Sequence, residues 1–166
     1  DVKDKLGTLA IPLQVPIGEE ERFKGVVDLI TGKAIIWNEA DQGMTYEEIP
    51  VPEDLVPVVA EWREKLLEAV AEYDETLMEK FFEDPNSIGQ EEMEAAIRAA
   101  VCDFKFVPMM CGSAFKNKGV QAVLDAVCSF LPSPLDVPPV KGTNPKTDKE
   151  EIRKADINSY IWSAEC

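Results

Sequence analysis

Between residues 55 and 82 apolar side chains return every three or four positions: Leu55, Val59, Trp62, Leu66, Val70, Tyr73, Leu77 and Phe81. That spacing gathers them on one side of an α-helix turning roughly 100° per residue. Glu61, Glu64, Glu68, Glu72, Glu75 and Glu79 keep the same rhythm on the opposite side. The pattern predicts one long helix with an apolar back for packing and an acidic front. Pro52, Glu53 and Asp54 suit its first turn, where a missing N–H is harmless and carboxylates meet the positive end of the helix dipole. Pro57 is tolerated only if regular helix begins about there.

Shorter patterns flank this element. Residues 1–5 read as the end of a helix, with Gly7 as its stop. Ile11, Leu13, Val15 and Ile17 alternate with Pro12, Gln14 and Pro16, the period of an edge strand. Residues 23–30 and 34–37 flank Thr31-Gly32-Lys33 as a β-hairpin, and residues 44–49 return as a third strand. Ser87-Ile88-Gly89-Gln90 has the form of a capping box, and Met93, Ala96, Ile97, Ala100 and Val101 follow at helical spacing. Residues 104–110 read as a buried strand. A third helix then carries Val120, Val123, Leu124, Val127 and Leu131, closed by Pro132. Pro134, Pro138, Pro139 and Pro145 mark an extended linker beyond it, and Tyr160-Ile161-Trp162 is a last apolar knot.

Composition narrows the partners. The 166 residues are 45% hydrophobic, enough to supply a core for one domain with an insertion. The 32 acidic residues outnumber the 17 basic ones, for a formal charge of −15. That field repels phosphate backbones and anionic membranes, so neither nucleic acid nor a membrane is expected as a direct partner. A basic protein surface is the better complement. Cys102, Cys111, Cys128 and Cys166 show no C-x-x-C pairing and read as reduced thiols of a cytoplasmic protein. Histidine is absent, which removes histidine bases and most zinc sites. No segment has the length of a membrane span.

Candidate chemistry centres on Cys111-Gly112-Ser113-Ala114-Phe115-Lys116-Asn117-Lys118-Gly119, between the last apolar strand and the third helix. Loops at the carboxyl ends of strands offer free backbone N–H groups to ligands in nucleotide-binding α/β folds. By itself the same stretch is also an ordinary strand-to-helix turn. A pair of carboxylates working as a hydrolase would need an apolar cleft to separate their pKa values, and no glutamate here is placed in one.

The run Gly112-Ser113-Ala114-Phe115-Lys116-Asn117-Lys118-Gly119-Val120-Gln121, with Leu124-Asp125-Ala126-Val127 and Leu131-Pro132-Ser133-Pro134, resembles bacterial translation elongation factor G. Upstream, Pro12-Leu13-Gln14-Val15-Pro16-Ile17-Gly18, Phe23, Gly25-Val26-Val27-Asp28, Lys33-Ala34, Glu61-Trp62 and Leu77-Met78-Glu79-Lys80 are similar to the same family, in collinear order over residues 6–142. The resemblance implies a fragment of a GTPase that promotes ribosomal translocation: the end of the GTPase domain with its insert subdomain. In that family the loop is the last guanine-nucleotide motif. Ser113 and Ala114 are then expected to meet the base through backbone N–H groups, with Phe115 beside it.

The implied fold is α+β: a small β-sheet packed on the long amphipathic helix and a second helix, with a strand–loop–helix remnant of a parallel α/β GTPase domain. Residues 1–16 are the expected edge of that domain and 17–103 the insert subdomain. Residues 104–132 are its final strand, guanine loop and helix, and 133–166 a Pro-rich linker and divergent tail. GTP or GDP and Mg²⁺ serve the full-length family. This chain has no P-loop, no N-K-x-D motif and no Mg²⁺-binding motif, so it is expected to be inactive by itself and to bind nucleotide poorly. The implied partner is the ribosome, through the C-terminal domain of the large-subunit stalk protein. Glu68, Glu72 and Glu75, spaced i, i+4, i+7, are the implied contact patch. A second reading is an independent acidic protein-binding adaptor with no nucleotide role, since charged helix faces are commonly just solvated.

Overall fold

The computed structural model describes residues 4–5, 7, 9–145, 147 and 149–154. The expected helix end at residues 1–5 falls mostly outside these, and the apolar knot at 160–162 wholly so. The chain divides into two compact units, residues 1–131 and 132–166.

In the first unit, β2 (Gln14–Ile17), β3 (Gly25–Asp28), β4 (Lys33–Trp37) and β5 (Tyr46–Ile49) form an antiparallel sheet in sequence order. Its register lines up Val15, Val27, Ala34 and Ile49 across the strands. These side chains share one face because strand residues alternate sides, and they join the main core. Val26 faces the other way, into a small cluster with Phe23 and Trp37.

The stretch 11–17 is not the single strand its alternation predicts. β1 (Ala10–Pro12) pairs parallel with β6 (Val107–Met109), and the chain bends at Leu13 to enter the antiparallel sheet. Leu13 serves both ladders: its N–H donates to the Met109 carbonyl at 2.8 Å, and its carbonyl accepts from the Leu29 N–H at 2.9 Å. Residues 14–17 therefore leave the parallel pair for the four-stranded sheet.

The long helix is also two. α1 (Val56–Ala71) and α2 (Glu75–Glu83) are separated by Glu72, Tyr73 and Asp74. Asp74 is extended, at φ −140° and ψ 110°, and its carboxylate accepts from the N–H groups of Thr76 at 2.9 Å and Leu77 at 3.2 Å. Aspartate satisfies two orphan donors here better than a continued helix would let it. The apolar stripe survives in Val59, Leu66, Val70 and Leu77, all buried, while Tyr73 turns outward. Arg63 donates to the carbonyls of Leu29 and Ile30, tying α1 to the β3–β4 turn.

α3 (Gln90–Cys102) is capped at Gly89, not at Ser87. Glu92 accepts from the Gly89 N–H at 3.2 Å, whereas the Ser87 hydroxyl donates to the Asp84 carbonyl. Met93, Ile97 and Ala100 bury against Leu66, Val70 and Phe106 in the shared core. The strand expected at 104–110 shortens to β6, because Phe104 sits at φ +57° and is almost fully exposed. α4 (Val120–Phe130) follows the loop after β6.

In the second unit the segment expected as linker carries a hairpin, β7 (Val140–Thr143) paired antiparallel with β8 (Glu150–Arg153). Its side chains are almost all exposed, so no apolar alternation advertises it. Small sheets beside helices make the architecture α+β, as expected.

Candidate functional site

The loop between β6 and α4 closes on itself. Ser113 N–H donates to the Lys118 carbonyl at 2.8 Å and Lys118 N–H returns to the Ser113 carbonyl at 3.0 Å. Between them Ala114–Lys116 make one 3-10 turn, and Asn117 and Gly119 take left-handed conformations at φ +51° and +83°. A Cβ at Gly119 would stand 2.8 Å from the Cys111 carbonyl oxygen, so the crossing of the two loop arms needs glycine.

This geometry changes the expected donors. The Ser113 N–H is already committed to Lys118. The first N–H groups of a helical turn have no partner within it, and those of Ala114 and Phe115 carry no hydrogen bond among the described residues. The three candidate side chains do not converge either. Ser113 and Ala114 line a cavity of about 400 Å³ with Gly112, Val120 and Leu124. Phe115, fully exposed, instead lines a cavity of about 520 Å³ with Glu39, Gln42, Met44 and Lys116.

Nothing in the sequence marks Lys118 as special, yet it is the buried charge of the region, only 2% exposed. Its Nζ donates to the Phe23 carbonyl at 3.0 Å and to Glu39 Oε1 at 2.8 Å. The hydrogen bond from Lys118, then its charge, holds the Glu39 carboxyl below the usual carboxylate range. These partners lie 95 and 79 residues away in sequence, so no local pattern reveals them. Gln14, also buried, accepts from the Cys111 N–H at 3.2 Å and supports the start of the loop.

The second candidate surface is the acidic front. Glu68 lies on α1, Glu72 caps its end, and Glu75 opens α2. All three are exposed, and none has an ion-pair partner among the described residues. The helix break means that only Glu68 and Glu72 keep the one-face i, i+4 relation, while Glu75 belongs to the next helix. Among the described residues no group of three or more carboxylate or cysteine side chains could hold a metal ion. No described helix is long and apolar enough to cross a membrane.

No family model matches the chain. Elongation factor G of Amoebophilus asiaticus is 62% identical over 158 residues, which is 95% of this chain and 22% of that protein. Elongation factor G of Cytophaga hutchinsonii is 63% identical over 153 residues, 92% of this chain and again 22% of the relative. The chain is similar to a fragment of elongation factor G. Elongation factor G of Karelsulcia muelleri is 47% identical over 153 residues, with the same coverage. The chain thus spans about 22% of the length of the elongation factor G relatives it matches. A crystal structure of a Thermus thermophilus protein superposes with a TM-score of 0.68 at 30% identity, over 84% of this chain and 21% of that one.

Proposed function

We propose that this chain is a segment of a translation elongation factor G-like GTPase that promotes ribosomal translocation in the cytoplasm. Its contribution is a guanine-contacting loop and an acidic docking face, without catalysis of its own. The observation that carries the first role is the 3-10 turn after β6, whose Ala114 and Phe115 N–H groups have no hydrogen-bond partner among the described residues, at the carboxyl end of a parallel strand. Such positions receive ligands in open α/β folds. The purine carbonyl is the acceptor that fits them. Ser113 acts by closing the loop, and Phe115 supplies an aromatic face on its other side.

The residues present do not fit the rest of the nucleotide. The chain holds no phosphate-cradling Gly-rich loop ahead of a lysine, and no carboxylate cluster suited to Mg²⁺ is found among the described residues. GTP hydrolysis is therefore assigned to the complete factor and not to these residues. The guanine role is tested by Ala114→Pro in a complete elongation factor G carrying this segment. Proline removes one N–H at a position that tolerates it, since Ser113 is extended at φ −130° and ψ 97°. Weaker GDP binding is expected; unchanged binding removes the donor role.

The acidic face is proposed to dock the basic C-terminal domain of the ribosomal stalk protein. Its support is a set of exposed, unpaired carboxylates at 68, 72 and 75 on a chain of charge −15. Titrating that domain against wild type and Glu68→Lys/Glu72→Lys tests it. Equal affinities with the fold intact would exclude this face.

A further inference from the structure

Four contacts join the 113–121 loop region to two loops of the four-stranded sheet. Lys118 Nζ reaches the Phe23 carbonyl before β3 and the Glu39 carboxylate after β4. Lys116 Nζ reaches the Glu21 carbonyl at 3.4 Å, and Gln121 Nε2 the Gly43 carbonyl at 3.4 Å. Gly43 itself packs backbone to backbone, so closely that a Cβ would stand 2.7 Å from the Asn117 carbonyl oxygen.

Lys118 differs from the others because it is buried and charged. Its Glu39 partner is exposed, so only the ammonium is buried. A hydrophobic side chain of the same volume would commonly hold a fold at least as well as a buried charge does. What the ammonium adds is direction: three donors on one atom bind acceptors from two separate loops. Lys118 also carries the backbone N–H and carbonyl that close the loop on Ser113. Its side chain and main chain therefore fix the same turn from opposite sides.

We propose that Lys118 is a positioning residue for the nucleotide loop, a clamp that sets where the Ala114 and Phe115 N–H groups point according to the placement of the four-stranded sheet. This rests on the guanine-loop reading above. The sheet and the loop then form one coupled device: displacing the Phe23 or Glu39 segments moves the base donors, and ordering the donors holds those segments.

Two measurements test it. Amide hydrogen exchange on the 166-residue chain compares wild type with Lys118→Met, which keeps the length and loses the donors, and with the surface variant Glu39→Gln. Loss of a charge-assisted hydrogen bond should speed exchange at Ser113 and Lys118 about tenfold or more in Lys118→Met, and by less in Glu39→Gln. Leu66 and Val70 amides in α1 should change little. Equal acceleration in loop and core, or none in the loop, overturns the clamp. In a complete elongation factor G carrying this segment, Lys118→Met should also weaken GDP binding and lower the preference for GDP over ADP, whose 6-amino group cannot accept from those N–H groups. Weakening by Ala114→Pro but not by Lys118→Met overturns the positioning role and leaves the guanine loop standing. Weakening by neither removes the guanine-loop reading itself, and the positioning role falls with it.

Discussion

Gly43 and Gly32 separate two costs that are usually measured together. Both have left-handed backbones, at φ +75° and +68°, but space around Gly32 is open, whereas a Cβ at Gly43 meets carbonyl oxygens of Asn117 and Lys116 at 2.7 and 2.9 Å. Gly32→Ala should lower stability by about 1 kcal/mol, the ordinary cost of that conformation. Gly43→Ala must also push the 38–45 and 113–119 loops apart and should cost about 2–3 kcal/mol. Urea unfolding of both variants checks this; equal losses would mean that the loops separate freely. Acid supplies a second test at the same place. Glu39 has a depressed folded-state pKa, so its contribution is present above the ordinary glutamate value of 4.5 and drains as pH falls through the lower folded value. Glu92, lowered by its hydrogen bonds from Lys80 and the Gly89 N–H, shares that window. The Glu39 share is therefore read as the stability difference between wild type and Glu39→Gln, which should narrow as pH drops below that range. A difference that stays constant with pH would contradict the ion pair.

Among elements, the junction of α1 and α2 depends on a cap. Asp74→Ala should cost about 1 kcal/mol and fray the first turn of α2, while Asp74→Asn should keep most of that stability. Circular dichroism and urea unfolding read both effects; an unchanged Asp74→Ala would mean that packing of Leu77 alone sets the boundary. The same junction shows what periodicity can and cannot carry. Leu66, Val70 and Leu77 share a buried side on both helices, so the stripe stays in phase across the break and conceals it. Asp74 ahead of Glu75 and Thr76 is the local signal, because a short acceptor there competes with helix. The alternation at 11–17 gives the right inner residues in Ile11, Leu13 and Val15, but it misses Gln14, which is buried too. It cannot show that hydrogen-bond partners change at Leu13, since partners are a property of other segments. The nucleotide-like loop is legible from Gly112 to Gly119 because a strand, a turn and a helix are written locally. Burial of Lys118 is not, because Lys116 and Lys118 flank Asn117 with nothing in sequence to distinguish them.

For the molecule as a whole, the outer side of α4 is the surface most at odds with a solitary chain. Val123, Leu124 and Val127 recur at helical spacing and are all exposed, Leu124 to 60%. Scattered apolar residues are normal on a surface, but a contiguous helical stripe marks an interface. A charge of −15 opposes contact between copies, and that opposition is screened within about 8 Å at physiological salt. Self-association of the isolated chain should therefore rise with ionic strength as well as with concentration. Leu124→Lys/Val127→Lys discriminates the causes, because it reduces net negative charge while removing apolar area. If repulsion governed, this variant would associate more than wild type; if the α4 face governs, it should stay monomeric. Sedimentation velocity at low and high salt decides between them. A wild-type chain that remains monomeric in both would show that the stripe is too small to bind a second copy.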